Sequence, residues 1–361
     1  MPMKERKHIL FVAWLLLAAA SCTRPVPDED RRGVVDIHAM VDASVSKSPV
    51  TGNNFPNWSG REDAPEGTFG IFCCEHEDSP ALYRPHKNSN YNVRAYRSGS
   101  TLRYHFVSMI GSDGALDNEY SNRFILSQRK DNKTADIYAY APWSRGAWAS
   151  GPTAIPFQTR NQYDWMYAQE NGSDNLDLDP LGTDLKATFH FRHAMALLRF
   201  EFRLLNTPTY YTIYLESVTR SSGAPLYESG TFNAVTGTFD NLVETDKLEI
   251  HPAVNVNSTT PSSISLMLVP EVLSDTDSLT FHFIANPIST NLATGQELVP
   301  FVLTKSLLEH SAVPGTYGLL PGYVYTYRFT LDNYVFFDGF TVDTQWKTPA
   351  TPSEDLNPIH I

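Results

Sequence analysis

The stretch that decides the fold is KATFHFRHAMALLRFEFRL, residues 186–204. Its apolar residues fall on odd numbers at Phe189 and Phe191, and on even numbers at Leu198, Phe200, Phe202 and Leu204. A period of two predicts β-strand, and the change of phase near residues 193–195 predicts a β-bulge or a split into two strands. A helix over HAMALL is the alternative, but the alternation on both sides favours strand. We expect this stretch to open a second domain.

Composition supports an all-β chain of more than one domain. With 361 residues, the chain exceeds the roughly 150 residues of a typical domain, so two domains are expected. Aromatic residues make up 12% and charged residues 19%, a balance that suits half-buried sheets better than helical bundles. The net charge of −12, without a long Lys/Arg run, offers nothing to a phosphate backbone. Nucleic acid is therefore not an expected partner.

Short alternating segments recur along the chain and are separated by turn-forming residues. The clearest of them are residues 33–46, 68–73, 91–110, 136–143, 210–218, 231–239, 263–269, 279–285, 322–333 and 334–346. Strands at this spacing are typical of β-sandwiches. The acidic, turn-rich segment 171–184 lacks the order of an EF-hand, so we interpret it as an interdomain linker rather than a calcium loop. The predicted domains are 33–184 and 185–361.

The N-terminus has the features of an export signal. Basic residues precede an apolar run over residues 9–20, which is too short for the roughly 20 residues of a membrane span. Small residues end the run before Ser21 and Cys22, and this pattern resembles the lipobox of bacterial lipoproteins. The resemblance implies cleavage between Ser21 and Cys22 and a lipid on Cys22; a plain signal peptide followed by an incidental Cys is the alternative. Residues 1–21 would be the signal peptide and residues 22–32 a tether.

No candidate for catalysis or metal binding stands out. Residues 73–78, CCEHED, are rich in metal-ligand types, but neighbouring strand residues face opposite ways and no second Cys/His pair follows. His190 and His193 are three residues apart on a predicted strand, so they face opposite sides unless a bulge re-aims one. Known hydrolase and phosphate-loop motifs are absent from the sequence. We expect neither an enzyme, nor a metal, nor a cofactor.

Taken in order, these segments resemble the fimbrillin family of Bacteroidetes, the lipoprotein subunits of type V pili. The matching pieces are the lipobox at Cys22, the strand before Lys47, GTFGIF (67–72), DIYAYAPW (136–143), IPF (155–157), DWMYA (164–168), FHFRHAMALLRFEF (189–202), TGTF (236–239) and LPGYVYTYRFTL (320–331) with the tail to Trp346. The resemblance implies two transthyretin-like β-sandwich domains in tandem. It also implies a structural or adhesive fimbrial subunit on the outer membrane and cell surface.

In that family the first strand is removed by cleavage in the loop that follows it, and a neighbour's strand replaces it. Lys47 matches the cleavage position, where the family more often has Arg; Arg61 and Arg32 are alternatives. The tail at residues 334–346 is the predicted donor strand, with Phe336, Phe340, Val342 and Trp346 on its apolar face. Removing a strand would open a groove that an extended segment can refill. The implied partners are other fimbrial subunits, the outer membrane through the lipid, and a host or bacterial surface ligand.

A surface glycan-binding lipoprotein is the alternative function. Exposed aromatic rings would stack on sugars, and the candidates are Trp58, Trp143, Trp148 and Trp165. Aromatic residues in β-proteins more often belong to the core, so burial of these side chains decides between the two roles.

Overall fold

The structure is a computed structural model of the full chain. It describes residues 34–41, 68–75, 93–98, 101–110, 115–121, 124–125, 135–144, 147, 151–168, 185–205, 211–221, 223–257, 259–287, 296–298, 300–309, 317–331 and 335–343.

Strands make up almost all of the regular structure in these residues. The strands up to the middle of the chain are β1 (Val34–Val41), β2 (Thr68–Glu75), β3 (Val93–Ser98), β4 (Thr101–Ile110), β5 (Ala115–Ser121), β6 (Phe124–Ile125), β7 (Ala135–Ala141), β8 (Ile155–Gln158), β9 (Met166–Ala168) and β10 (Leu185–His193). The strands that follow are β11 (Ala196–Leu204), β12 (Tyr211–Arg220), β13 (Tyr227–Phe232), β14 (Phe239–Glu244), β15 (Lys247–Glu249), β16 (Ala253–Val256), β17 (Ser262–Leu268), β18 (Ser278–Pro287), β19 (Gln296–Glu297), β20 (Phe301–Thr304), β21 (Val324–Leu331) and β22 (Val335–Asp343). The prediction of an all-β chain is confirmed.

The strands form four sheets. The first sheet has the order β5-β4-β3-β2-β7-β9-β10-β1-β6, and the second has the order β17-β11-β21-β22. The third sheet runs β15-β12-β18-β19, with β16 pairing with β12 and β20 with β18, and the fourth runs β14-β13-β8. Most pairs are antiparallel, but β1 runs parallel to β10 and β11 runs parallel to β21.

The stretch at residues 186–204 splits where its phase changes, as predicted. Its first half, β10, pairs with β1 and β9 in the first sheet, whereas its second half, β11, lies between β17 and β21 in the second sheet. The stretch therefore passes from one sheet to the other instead of opening a new unit as a whole. The division into two domains at residues 184/185 stays a prediction.

The second and third sheets pack face to face around an aromatic core. Phe200 on β11 is fully buried, and its ring centroid lies 4.9 Å from that of Phe281 and 5.2 Å from that of Phe283, both on β18. The polar positions of β11 between the buried ones are half-buried or exposed. The alternation read from the sequence thus puts every second side chain of β11 between two sheets, as a sandwich requires.

A second core joins the first sheet to the fourth. Phe72 and Tyr140 stack with ring centroids 5.4 Å apart beneath the first sheet. The same cluster contains Phe157 on β8 and Phe232 on β13. The ring of Trp165, which immediately precedes β9, packs against both of these rings. β8 pairs with β13 across some seventy positions of sequence, which fastens the early part of the chain to the late part.

Two local elements complete the description. The segment at residues 91–110 forms the hairpin of β3 and β4, in which Ser98 pairs with Thr101. A short 3-10 helix spans Lys305–Leu308. Among the described residues, no helix is long and apolar enough to cross a membrane.

Candidate functional site

The predicted processing sites lie outside the described residues. These are Ser21 and Cys22, the cleavage candidate Lys47 with its alternatives Arg32 and Arg61, and Trp346 in the tail. Their roles stay predictions. The structure describes β1, the strand predicted to be removed, and β22, the strand predicted to replace it. It also shows a cleft that the sequence did not predict.

Strand β1 is the second strand from one edge of the first sheet. On one side it pairs in parallel with β10, from Val35 opposite Leu185 to Val41 opposite Phe191. On the other side, only Val34 and Val35 pair with the two-residue strand β6. From Asp36 onward, the outer edge of β1 has no strand partner among the described residues. Its removal would therefore break one long ladder and one very short one.

The partner of β1 presents a regular apolar face. In β10, Ala187, Phe189 and Phe191 are fully buried, while the residues between them are half-buried. Phe191 packs edge-to-face on Phe69 of β2, with ring centroids 5.6 Å apart. The register sets Ile37 opposite Ala187. A strand that left this position would uncover the backbone of β10 beside three buried apolar residues.

Strand β22, the predicted donor, lies at an edge of the second sheet and pairs with β21 of its own chain. The pairing shifts between Arg328 and Phe329, because Arg328 is opposite Gly339 while Phe329 is opposite Phe337. Asp338 is the extra residue of this bulge, and a bulge reverses which residues face the core.

The bulge changes the predicted face of β22. Phe337, Phe340 and Val342 are partly buried against the core. The ring of Phe337 lies 5.3 Å from that of Phe301, and the ring of Phe340 lies 6.1 Å from that of Tyr327. Phe340 and Val342 thus belong to the apolar face as predicted, and Phe337 joins them. The side chain of Phe336 lies outside the described residues.

A cleft of about 770 Å³ opens over the outward face of the fourth sheet. Its floor consists of two rows of residues across β8, β13 and β14. The first row is Gln158, Ser229 and Val243, and the second is Pro156 and Thr231, with Asn241 beside Thr231 at the bulge of β14. The volume is within the range of small-ligand sites, which is about 300–1,000 Å³. None of these strands was predicted to meet the others, because their pairing is set by contacts distant in sequence.

Aromatic residues form one wall of the cleft. Trp143, Tyr163 and Trp165 line it, together with Arg94. The guanidinium carbon of Arg94 lies 5.2 Å from the centre of the Trp143 ring, a cation–π contact that fixes the ring in place. The indole N–H of Trp143 is buried and has no acceptor among the described residues.

Neutral polar groups surround the aromatic wall. The amide nitrogen of Asn241 donates to the hydroxyl of Thr231 at 3.2 Å. Asn241 has a φ of 50°, in the left-handed region that few residues other than glycine adopt. Asparagine tolerates this conformation better than most residues, and Asn241 lies where the pairing of β13 with β14 shifts. Among the described residues that line the cleft, Arg94 carries the single charge.

The two described tryptophans among the sugar-binding candidates have different environments. Trp165 is only 3% exposed and belongs to the core around Phe157 and Phe232. Trp143 is partly exposed and lines the cleft. Trp58 and Trp148 lie outside the described residues.

His190 and His193 do not form a pair. The Nδ1 atom of His193 lies 2.8 Å from the Oδ2 atom of Asp164, so this histidine is held at the crossover between β10 and β11. Within the described part of the chain, no group of three or more His, Cys, Asp or Glu side chains is arranged to hold a metal ion.

The packed sheets of strands, with almost no helix among the described residues, define an all-β sandwich protein. The sequence profile of the fimbrillin-like family matches residues 82–346, which is well over half of the chain. The chain therefore belongs to the fimbrillin-like family. A sequence comparison with curated proteins gave no match.

Several solved structures from Bacteroides species are similar to this chain. A candidate cell adhesion protein from Bacteroides ovatus superposes with a TM-score of 0.50 at 14% identity, covering 88% of this chain and 98% of that one. A candidate cell adhesion protein from Bacteroides uniformis gives a TM-score of 0.47 at 14% identity, with 86% and 98% covered. A fimbrial protein from Bacteroides vulgatus gives 0.39 at 13% identity, with 86% and 97% covered. At 14% identity, the similarity to the Bacteroides ovatus protein supports a shared fold and carries no information about function.

Proposed function

We propose that this chain is a structural and adhesive subunit of a bacterial surface fimbria, exported as an outer-membrane lipoprotein and assembled by strand exchange. The observation that carries this proposal is the match of the fimbrillin-like family over residues 82–346. A non-enzymatic role agrees with the family. The partners would be other fimbrial subunits, the outer membrane through Cys22, and a ligand on a host or bacterial surface.

The position of β1 supports strand exchange. A strand next to the edge of a sheet can leave with little disturbance to the others, and among the described residues β1 is bounded on its outer side only by the two-residue strand β6. Its departure would expose unpaired backbone groups on β10 next to Ala187, Phe189 and Phe191. Such an edge binds an extended segment through backbone hydrogen bonds, while pockets for alternate side chains give specificity.

The same geometry explains why cleavage would be needed. While β1 occupies its place, a second chain has no access to β10, so the uncleaved protein should be monomeric. A cut at Lys47 would separate β1 from the rest of the covalent chain. The cut strand would then be held by hydrogen bonds and packing alone, and a neighbour's strand could displace it.

Limited trypsin treatment tests the proposal. The uncleaved chain should elute from size-exclusion chromatography as a monomer, and treatment that cuts at Lys47 should produce slow polymerisation. Trypsin cuts after Lys and Arg, so the double variant Lys47→Gln/Arg61→Gln, which removes both basic residues between β1 and β2, should block cleavage and polymerisation. Arg32→Gln, which precedes β1, is the matched control and should leave both intact. N-terminal sequencing of the cleaved chain then shows whether the cut follows Lys47 or Arg61. A chain that has lost β1 and stays monomeric at high concentration would refute strand exchange.

A further inference from the structure

We propose that the cleft over the fourth sheet binds a neutral saccharide. The site is lined by Trp143, Tyr163, Asn161 and Gln158 above the β13 and β14 residues Thr231 and Asn241. The proposal rests on the adhesive role proposed above, because it gives that role a ligand. It differs in its test, since a monomer can bind a sugar whether or not it assembles.

The chemistry of the lining matches the two kinds of surface on a sugar ring. A pyranose has apolar C–H faces, which pack on aromatic rings, and hydroxyl groups at its edge, which both donate and accept hydrogen bonds. Trp143 and Tyr163 supply rings with their own polar groups.

Amide side chains at the rim of the cleft can hydrogen-bond to the hydroxyl groups of a sugar. Gln158 and Asn161 are exposed, and each carries an amide that can donate and accept at once. Asn241 is held in its left-handed conformation with its amide bonded to Thr231. A few placed polar groups around an apolar surface are the usual composition of a small-ligand site.

Charge favours a neutral sugar over an acidic one. The whole chain has a net charge of −12, which repels polyanions, and Arg94 is the single charged residue at the cleft in the described part of the chain. The Arg94 guanidinium faces the ring of Trp143, so its position is explained by the cation–π contact. An acidic polysaccharide is therefore expected to bind no better than a neutral one.

The geometry also favours a sugar over a peptide. Extended peptides bind sheets by adding a strand at an edge, where backbone groups are unpaired. The floor of this cleft is the face of a sheet whose strands β8, β13 and β14 already pair with one another. Side chains, not backbone groups, are what the cleft presents to a ligand.

Affinity electrophoresis tests the proposal on the purified full chain, kept in a detergent that has no sugar headgroup. The probes are laminarin, mannan, xylan and dextran, with polygalacturonate as the acidic comparison. We expect retardation by at least one neutral polysaccharide, and titration calorimetry then gives its affinity. Trp143→Phe keeps a smaller aromatic ring for the sugar to pack on, so it should weaken binding about tenfold. Trp143→Ala should abolish binding.

Two further variants make the result specific. Asn241→Gly keeps the backbone conformation but removes the amide, and it should weaken binding. Asn255→Ala removes an exposed amide on β16, away from the cleft, and should leave binding unchanged. Thermal melts confirm that each variant is folded. Absence of retardation by all four neutral probes overturns the proposal, and so does equal affinity for Trp143→Ala and the wild type. Binding of a proline-rich peptide in place of the sugars, abolished by Trp143→Ala, overturns it too.

Discussion

The ring of Phe200 stacks on the ring of Tyr327, with ring centroids 5.6 Å apart and an angle of 26° between their planes. Phe200 is on β11 and Tyr327 on the parallel strand β21, and the two residues are direct neighbours in the register. Phe281 and Phe301 contact Phe200 from the opposite sheet. One side chain thus connects two sheets of the sandwich.

Phe200→Ala should strongly destabilise the fold. Emptying a fully buried phenylalanine site typically costs about 3–5 kcal/mol, because the neighbouring rings cannot close the cavity. Urea denaturation followed by tryptophan fluorescence measures the loss. Val302→Ala is the control, since Val302 is 46% exposed and its loss should change stability by less than about 0.5 kcal/mol. Equal stability of Phe200→Ala and the wild type would contradict the position of β11.

Alternation in the sequence was sufficient to find β11, because Phe200 and Phe202 point to one side for a purely local reason. It was also sufficient to find the break near residue 194. Alternation could not show that β10 pairs with β1, or that β8 pairs with β13. Strand pairing and register depend on residues far apart in the chain.

The same limit applies to the candidate site. Composition drew attention to Trp143 and Trp165, but only packing shows that the first lines a cleft and the second is in a core. A count of alternate residues cannot show the bulge at Asp338 either, so it did not place Phe337 on the core face.

Gly237→Ala should destabilise the turn between β13 and β14. Gly237 has a φ of 74°, and a Cβ atom there would lie 2.1 Å from a ring carbon of Tyr167 on β9. Left-handed backbone alone costs a non-glycine residue about 1–2 kcal/mol. Gly151→Ala is a matched control: its φ is 72°, but no described residue lies within 4 Å of the new Cβ.

The difference between these two variants, measured by thermal melting, isolates the contact with Tyr167. Gly237→Ala should have the lower melting temperature of the two. If the two variants melt together, the Tyr167 ring moves aside at no cost and this turn does not depend on close packing.

Stability should fall in alkali as pH rises from 10 to 12, partly through Tyr227. Burial, together with the charge of Glu271, raises the pKa of Tyr227 from 10.0 to about 12, and its hydroxyl donates to Glu271 at 3.2 Å. The unfolded chain loses this proton first, so the contribution is complete below pH 10 and is lost as pH approaches 12.

Urea denaturation at a series of pH values measures this slope. Tyr227→Phe should flatten it, and Glu271→Gln should flatten it less, since it removes the charge but keeps an acceptor. Burial also raises the pKa of Tyr325 and that of Tyr327, so part of the slope should remain in both variants. An unchanged slope in Tyr227→Phe would show that the hydroxyl titrates as it does in the unfolded chain.

Cys22→Ala should abolish lipid attachment. The basic start, the short apolar run and the small residues before Cys22 predict that this residue carries the lipid. Labelling of cells with a palmitate analogue should mark the wild type and Cys73→Ala, the control thiol, but not Cys22→Ala. The unlabelled variant should also leave the outer-membrane fraction. Retention of both label and membrane association by Cys22→Ala would refute the anchor.

Locking β22 to its own chain should prevent polymerisation if β22 is the donor strand. Thr326 and Thr341 are directly opposite each other in the antiparallel pair of β21 and β22. Such pairs have Cα atoms about 4.5–5.5 Å apart, within the range of a disulfide. Thr326→Cys combined with Thr341→Cys should therefore form a cross-link that holds β22 in place.

After trypsin treatment, the oxidised double variant should stay monomeric in size-exclusion chromatography, because its β22 cannot leave to fill the β10 edge of a neighbour. Reduction of the disulfide should restore polymerisation, and each single-Cys variant should polymerise like the wild type. β22 is suited to this movement because it is an edge strand and its core-facing residues Phe337, Phe340 and Val342 are only partly buried. If the oxidised double variant polymerises as well as the reduced one, β22 is a permanent strand of its own sheet, and another segment must fill the place of β1.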